Sequence, residues 1–164
     1  MEKAAPFSDT LQHRIKNARR LAVVGIGDEL IPADLLGISA ARMIEQQHLP
    51  GIQVFFAGTV PESITGPIRR YRPEHVLFLD AAEMGEPPGT IAVIAPGQVQ
   101  ASLLSTHALP LTVVMEYVER ETGAGVTLLG IQPGHRNPEN DLSDEDQAYL
   151  DRNLRQLFTI LEKR

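Results

Sequence analysis

Residues 21–27 read LAVVGIG, and this run without a polar side chain constrains the fold more than any other stretch. Seven residues suit a strand and are too few for a buried helix. A strand that is apolar on both faces must be covered on both faces, which is the condition of a strand inside a parallel sheet packed between helices.

The rest of the chain repeats the theme. Strand-length apolar runs recur at IQVFFAG after Gly51, at HVLFLDA (75–81), at TIAVIA (90–95) and at VTLLGI (126–131). Between them lie stretches with helical spacing. Residues 8–20 have a Ser/Asp start and a basic end, which suits a helix macrodipole. Residues 33–47 put Leu36, Ala40, Met43 and Ile44 on one side, and residues 61–72 also look helical. A helix from Pro110 to about Glu121 carries Leu111, Val114, Met115 and Val118 on one face. Ser143 is a cap for a last helix that runs almost to Arg164. Alternating strands and helices predict an α/β layered fold, with a mostly parallel central sheet and helices on both faces. With no linker or internal repeat, residues 1–164 read as a single domain.

Composition narrows the function. The net charge of −6 and the short basic pairs Arg19-Arg20 and Arg69-Arg70 argue against a nucleic-acid partner. The chain has no cysteine, which excludes disulfides, thiolate metal sites and a cysteine nucleophile. Its apolar runs are too short to span a bilayer, and MEKAAPFSDT lacks the apolar segment of a secretory signal. The expectation is a cytoplasmic protein with no membrane partner.

In open α/β sheets, ligands bind outside the carboxyl ends of the strands. Asp28 and Asp34 follow the first strand, Asp80 ends the third, and the QPGHRNPEND loop follows the fifth. His107 stands just before the Pro110 helix, whose start can lie at the same edge. His75, at the entry of a strand, belongs to the opposite edge; His13 and His48 sit in or after helices. Two carboxylates and an imidazole form an O,O,N set with open positions, which suits a borderline divalent metal such as zinc, nickel or ferrous iron. Each residue has an ordinary alternative: Asp34 as a helix-start acid, Asp80 as a turn former, His107 as a helix brace. His135, flanked by Gly134 and Pro138, reads as a loop residue rather than a fourth ligand. The GIG turn at Gly25–Gly27 falls short of a GxGxxG, because position 30 is Leu. There is neither a Ser-His-Asp arrangement nor a HExxH helix.

VVGIGDEL with Asp34, FLDAAEMGEPPGTI, STHALPL, and TLLGIQP followed by LSDE occur in this order. The combination resembles the nickel–iron hydrogenase maturation endopeptidases, in the branch serving the hydrogenase of formate hydrogenlyase, over residues 21–162. The resemblance implies an α/β fold and removal of a C-terminal extension from the hydrogenase large-subunit precursor once nickel is inserted. It also implies that Asp34, Asp80 and His107 engage nickel carried by that precursor. Where the family usually reads Gly-Asp-Asp-Gly, this chain has Pro32-Ala33-Asp34-Leu35. The three positions are expected near the surface of a cleft. Two rival readings stand beside it: a non-cleaving nickel-dependent checkpoint or chaperone of the same fold, and an unrelated nucleotide-binding α/β protein using the Gly25–Gly27 turn.

Overall fold

The fold is given by a computed structural model, which describes residues 7–95, 98, 110–134 and 142–164. Five strands form one sheet in the order β2-β1-β3-β5-β4. They are β1 (Leu21–Ile26), β2 (Ile52–Gly58), β3 (His75–Ala81), β4 (Ile91–Val93) and β5 (Gly125–Ile131). The β1–β2, β1–β3 and β3–β5 pairs are parallel, while the short edge strand β4 runs antiparallel to β5. The helices are α1 (Phe7–Ile15), α2 (Leu36–Gln46), α3 (Thr65–Tyr71), α4 (Leu111–Thr122) and α5 (Asp144–Lys163).

Strand alternation sorts the core into two halves. Leu21 and Val23 of β1, Leu77 and Leu79 of β3, and Leu129 and Ile131 of β5 meet α1, α2 and α5. Ala22, Val24 and Ile26, with Val76, Phe78 and Leu128, meet α3 and α4. All six residues of β1 are buried, as the LAVVGI run requires. From β1 the chain steps one way to β2, then back across β1 to β3. With right-handed crossovers, reversing the step moves the crossover helix to the other face, so α2 and α3 lie on opposite sides. The carboxyl ends of β1 and β3 therefore flank the switch point of the sheet.

Several boundaries differ from the sequence expectation, the strand expected at 90–95 being only Ile91–Val93. The first helix ends at Ile15, not Arg20. Ala18 turns back onto the Ile15 carbonyl at 2.9 Å, and the Glu74 carboxylate accepts the Arg19 and Arg20 amides that a longer helix would have used internally. The predicted helices at 33–47 and 61–72 each begin with a short 3-10 turn, at Pro32–Asp34 and Pro61–Ile64, with a proline opening it. Ser143 caps α5 as expected, its Oγ accepting from the Asp146 amide at 3.1 Å.

Candidate functional site

The loop after β1 is built to hold Asp34. Gly27 closes the strand with its amide on the Gly58 carbonyl at 2.9 Å, and its φ of +146° favours glycine. A side chain there would come within 1.9 Å of the Asp34 carbonyl. Asp28 Oδ1 accepts from the Leu30 amide at 2.9 Å, and the Ile31 amide reaches the Asp28 carbonyl at 3.1 Å. Pro32 then opens the 3-10 turn, and the Asp34 amide returns to the Ile31 carbonyl at 2.9 Å. Asp34 Oδ2 accepts from the Asp28 amide at 2.9 Å, which closes the loop upon itself. Pro32 thus starts the turn that presents Asp34.

Directly behind this turn, Gly37 lets α2 settle on the sheet. A Cβ at Gly37 would lie 2.3 Å from the Leu79 carbonyl and 2.6 Å from the Ile26 carbonyl. The amino end of α2 therefore rests on the carboxyl ends of β1 and β3, and the Asp34 turn packs against β3. The GIG turn has the same explanation. At Gly25 a Cβ would meet that of Ala41 at 2.7 Å, so the glycines serve close packing of α2 and the loop.

Asp80 is the sixth residue of β3, and strand alternation puts it on the face that carries α3 and α4. It is 0% exposed and Asp34 only 4%. Both carboxylates are therefore buried, not near the surface of a cleft as expected from the sequence. Asp34 is closed in by the Asp28 loop and α2, and Asp80 lies within β3 between β1 and β5. His107 and His135 lie outside the described residues. Among the described residues, no group of three or more His, Cys, Asp or Glu side chains is arranged to hold a metal ion. Of the three predicted ligands, Asp34 and Asp80 are described, both towards the carboxyl edge of the sheet.

His75 stands at the other end of β3, away from Asp80. Its Nε2 is 2.9 Å from Thr127 Oγ1, which also accepts from Arg14 Nη1 at 3.2 Å. Burial, then the Arg14 charge, pushes its pKa from the usual 6.5 down to about 4.

Sequence reasoning did not single out Gln132, which is fully buried just beyond β5. Its Oε1 accepts from the Met84 amide at 2.7 Å, and its Nε2 donates to Glu83 Oε2 at 3.0 Å. Its backbone joins Thr90 and Gly89. Gln132 therefore holds the loop that follows Asp80. The residue lay in view within QPGHRNPEND, but its partners are more than forty positions away and nothing local marks it.

A sequence profile described as hydrogenase maturation protease matches residues 38–159. A putative hydrogenase maturation protease of Methanocaldococcus jannaschii is 30% identical over 135 residues, covering 77% of this chain and 80% of that protein. A hydrogenase 3 maturation protease of Escherichia coli is 36% identical over 81 residues, about half of each chain at 49% and 51%. The crystal structure of a nickel–iron hydrogenase maturation protease from Thermococcus kodakarensis superposes with a TM-score of 0.78 at 27% identity, covering 93% of this chain and 99% of the other. A profile match across most of the chain, together with the same α/β fold, leads to one conclusion: this chain belongs to the hydrogenase maturation protease family.

Proposed function

We propose that the protein is an endopeptidase that removes the C-terminal extension of a nickel–iron hydrogenase large-subunit precursor, recognising the nickel carried by that precursor through Asp34, Asp80 and His107. The observation that carries the reading is the burial of two carboxylates at the switch-point edge of the sheet, in a chain of this family. Carboxylates withdrawn from water are favourable only when a cation or hydrogen-bond donors compensate them. Pro110, three residues beyond His107 in the sequence, opens α4. The α4 helix packs on the face that carries Asp80. Two carboxylates and an imidazole suit nickel and leave positions for the precursor's own ligands.

In this scheme, Asp34 is aimed by the Asp28 amide, and Gln132 steadies the loop beyond Asp80. Asp28 and Glu29 also hold the loop, the first through Leu30 and the second through an ion pair with Arg42 at 3.1 Å. A nickel ion at the scissile segment would supply Lewis acidity to the carbonyl or to the attacking water.

The test incubates nickel-loaded and nickel-free precursor with the wild type and with Asp34→Asn, Asp80→Asn and His107→Ala. Asparagine at position 34 keeps an acceptor for the Asp28 amide. The wild type is expected to shorten only the nickel-loaded precursor, and each variant to slow the cut by roughly 100-fold or more. Tail removal at the wild-type rate by folded Asp34→Asn and Asp80→Asn proteins would overturn the assignment. A wild type that binds the precursor and never shortens it favours the non-cleaving checkpoint.

A further inference from the structure

The large apolar side chains exposed among the described residues are not scattered. Leu30 and Ile31 lie just past β1, Phe56 and Val60 at or just past the carboxyl end of β2, and Val113 and Tyr117 in the first two turns of α4. Leu30, Ile31, Phe56 and Val60 sit at the edge that carries Asp34 and Asp80, while Tyr117 reaches towards Arg69 in the last turn of α3. Leu30 is 90% exposed although its loop is locked by the hydrogen bonds of Asp28 and Asp34. An apolar side chain held out in water on a rigid turn is set up to meet a partner without an ordering cost.

Beside Leu30 and Val60 in the chain, Asp28 and Glu29 line one wall of a cleft of about 340 Å³, and Phe56, Gly58 and Thr59 line the other. Glu29 is neutralised by Arg42, and the Arg42 guanidinium lies 5.7 Å from the Phe56 ring centroid. The ion pair removes the Glu29 charge from this wall and leaves Asp28 as its acidic group. Gly27 lines the same cleft and abuts Asp34, so the cleft lies next to the candidate site.

We infer that the Leu30-Ile31 turn and the neighbouring Phe56–Val60 segment form a docking surface for an apolar stretch of the precursor next to its scissile bond. The inference rests on the reading of the protein as a precursor-processing enzyme. Apolar contacts on the turn hold the precursor, while Asp34, set in the same loop, meets its nickel. Leu30 and Ile31 are positioning residues in this arrangement and touch none of the reacting atoms.

The experiment measures the Kd of nickel-loaded precursor for the wild type and for the Leu30→Ser/Ile31→Thr double variant, at low and high salt, and follows tail removal in parallel. The variant is expected to bind about tenfold or more weakly, with KM raised in proportion and kcat within about twofold, as loss of a central apolar contact predicts. Its melting temperature should match the wild type, because surface side chains of this kind contribute little to stability. Wild-type binding should change little with salt, as apolar contacts do. Equal Kd values for the two proteins, or binding abolished by salt, would overturn the docking surface. If the wild type binds and does not cut, the proposed activity fails while the ratio of Kd values still decides the docking surface. If the wild type does not bind at all, both fail.

Discussion

At the entry of β3, His75 is held neutral by its surroundings. The ring sits against Gly125, where a Cβ would come within 2.5 Å of Nδ1, and its Nε2 is taken up by Thr127. Its pKa in the fold, about 4, lies below the usual 6.5. Between those values the unfolded chain binds a proton that the native chain excludes, so stability is lost as the pH falls from about 6.5 towards 4. The loss by about pH 5 should be on the order of 1–2 kcal/mol. His75→Gln keeps a hydrogen-bonding group for Thr127 and removes the titration. Urea unfolding at about pH 7 and pH 5 should therefore show a smaller drop in the variant than in the wild type. The comparison cancels the carboxylates common to both proteins, and equal drops would mean that His75 does not carry the effect.

Among the elements, the seating of α2 has the greatest consequence for the site. Helix propensity alone says that Gly37→Ala should stabilise, by up to about 1 kcal/mol. The structure says the reverse, because the new methyl would face two backbone carbonyls that no side-chain rotation can move aside. The clash should win, with a net loss of roughly 1–3 kcal/mol and displacement of the Asp34 turn. Gly66→Ala in α3 is the control, since there the nearest atom is the flexible Arg70 guanidinium at 3.4 Å. Thermal melts should show Gly37→Ala falling and Gly66→Ala level or rising; a stable, active Gly37→Ala would show that α2 can lift without consequence. The same contrast explains what could be read from the sequence. LAVVGI, IQVFFAG and HVLFLDA announced strands because strand burial is written locally, in the side chains themselves. The end of α1 was misread because its capping carboxylate, Glu74, is more than fifty residues away. The direction of β4 was not legible in three residues. Asp34 and Asp80 were found by their position after strands, but their depth was not, because it depends on α2 and on flanking strands remote in sequence.

Among the described residues, the two edges of the sheet differ in the charged and apolar side chains they carry. Lys16, Arg19 and Arg164 line a cleft of about 670 Å³ at the amino edge, and Arg20 and Arg164 both act on Tyr71 there. The carboxyl edge holds Asp28, Asp34, Asp80 and the acidic first turn of α5. In a parallel α/β sheet the helices begin at the carboxyl edge and end at the amino edge, so this distribution complements their dipoles. It also places Asp28, Asp34 and Asp80 on the edge that carries the exposed Leu30, Ile31, Phe56 and Val60. Among the described residues, no helix is long and apolar enough to cross a membrane. Two leucines test whether this division is functional. Leu77, at the centre of β3, is wholly buried, and Leu77→Ala should cost roughly 2–5 kcal/mol. For a chain of this length that lowers the melting temperature by roughly 5–15 °C. Leu30→Ala removes a comparable group from solvent-exposed surface and should leave the melting temperature within about 1 °C. Assayed well below both melting temperatures, Leu77→Ala should process precursor at close to the wild-type rate per folded molecule. Leu30→Ala, though fully folded, should need more precursor to reach half-maximal rate. If Leu77→Ala loses rate at a temperature where it is folded, the core and the site are coupled more tightly than this division allows.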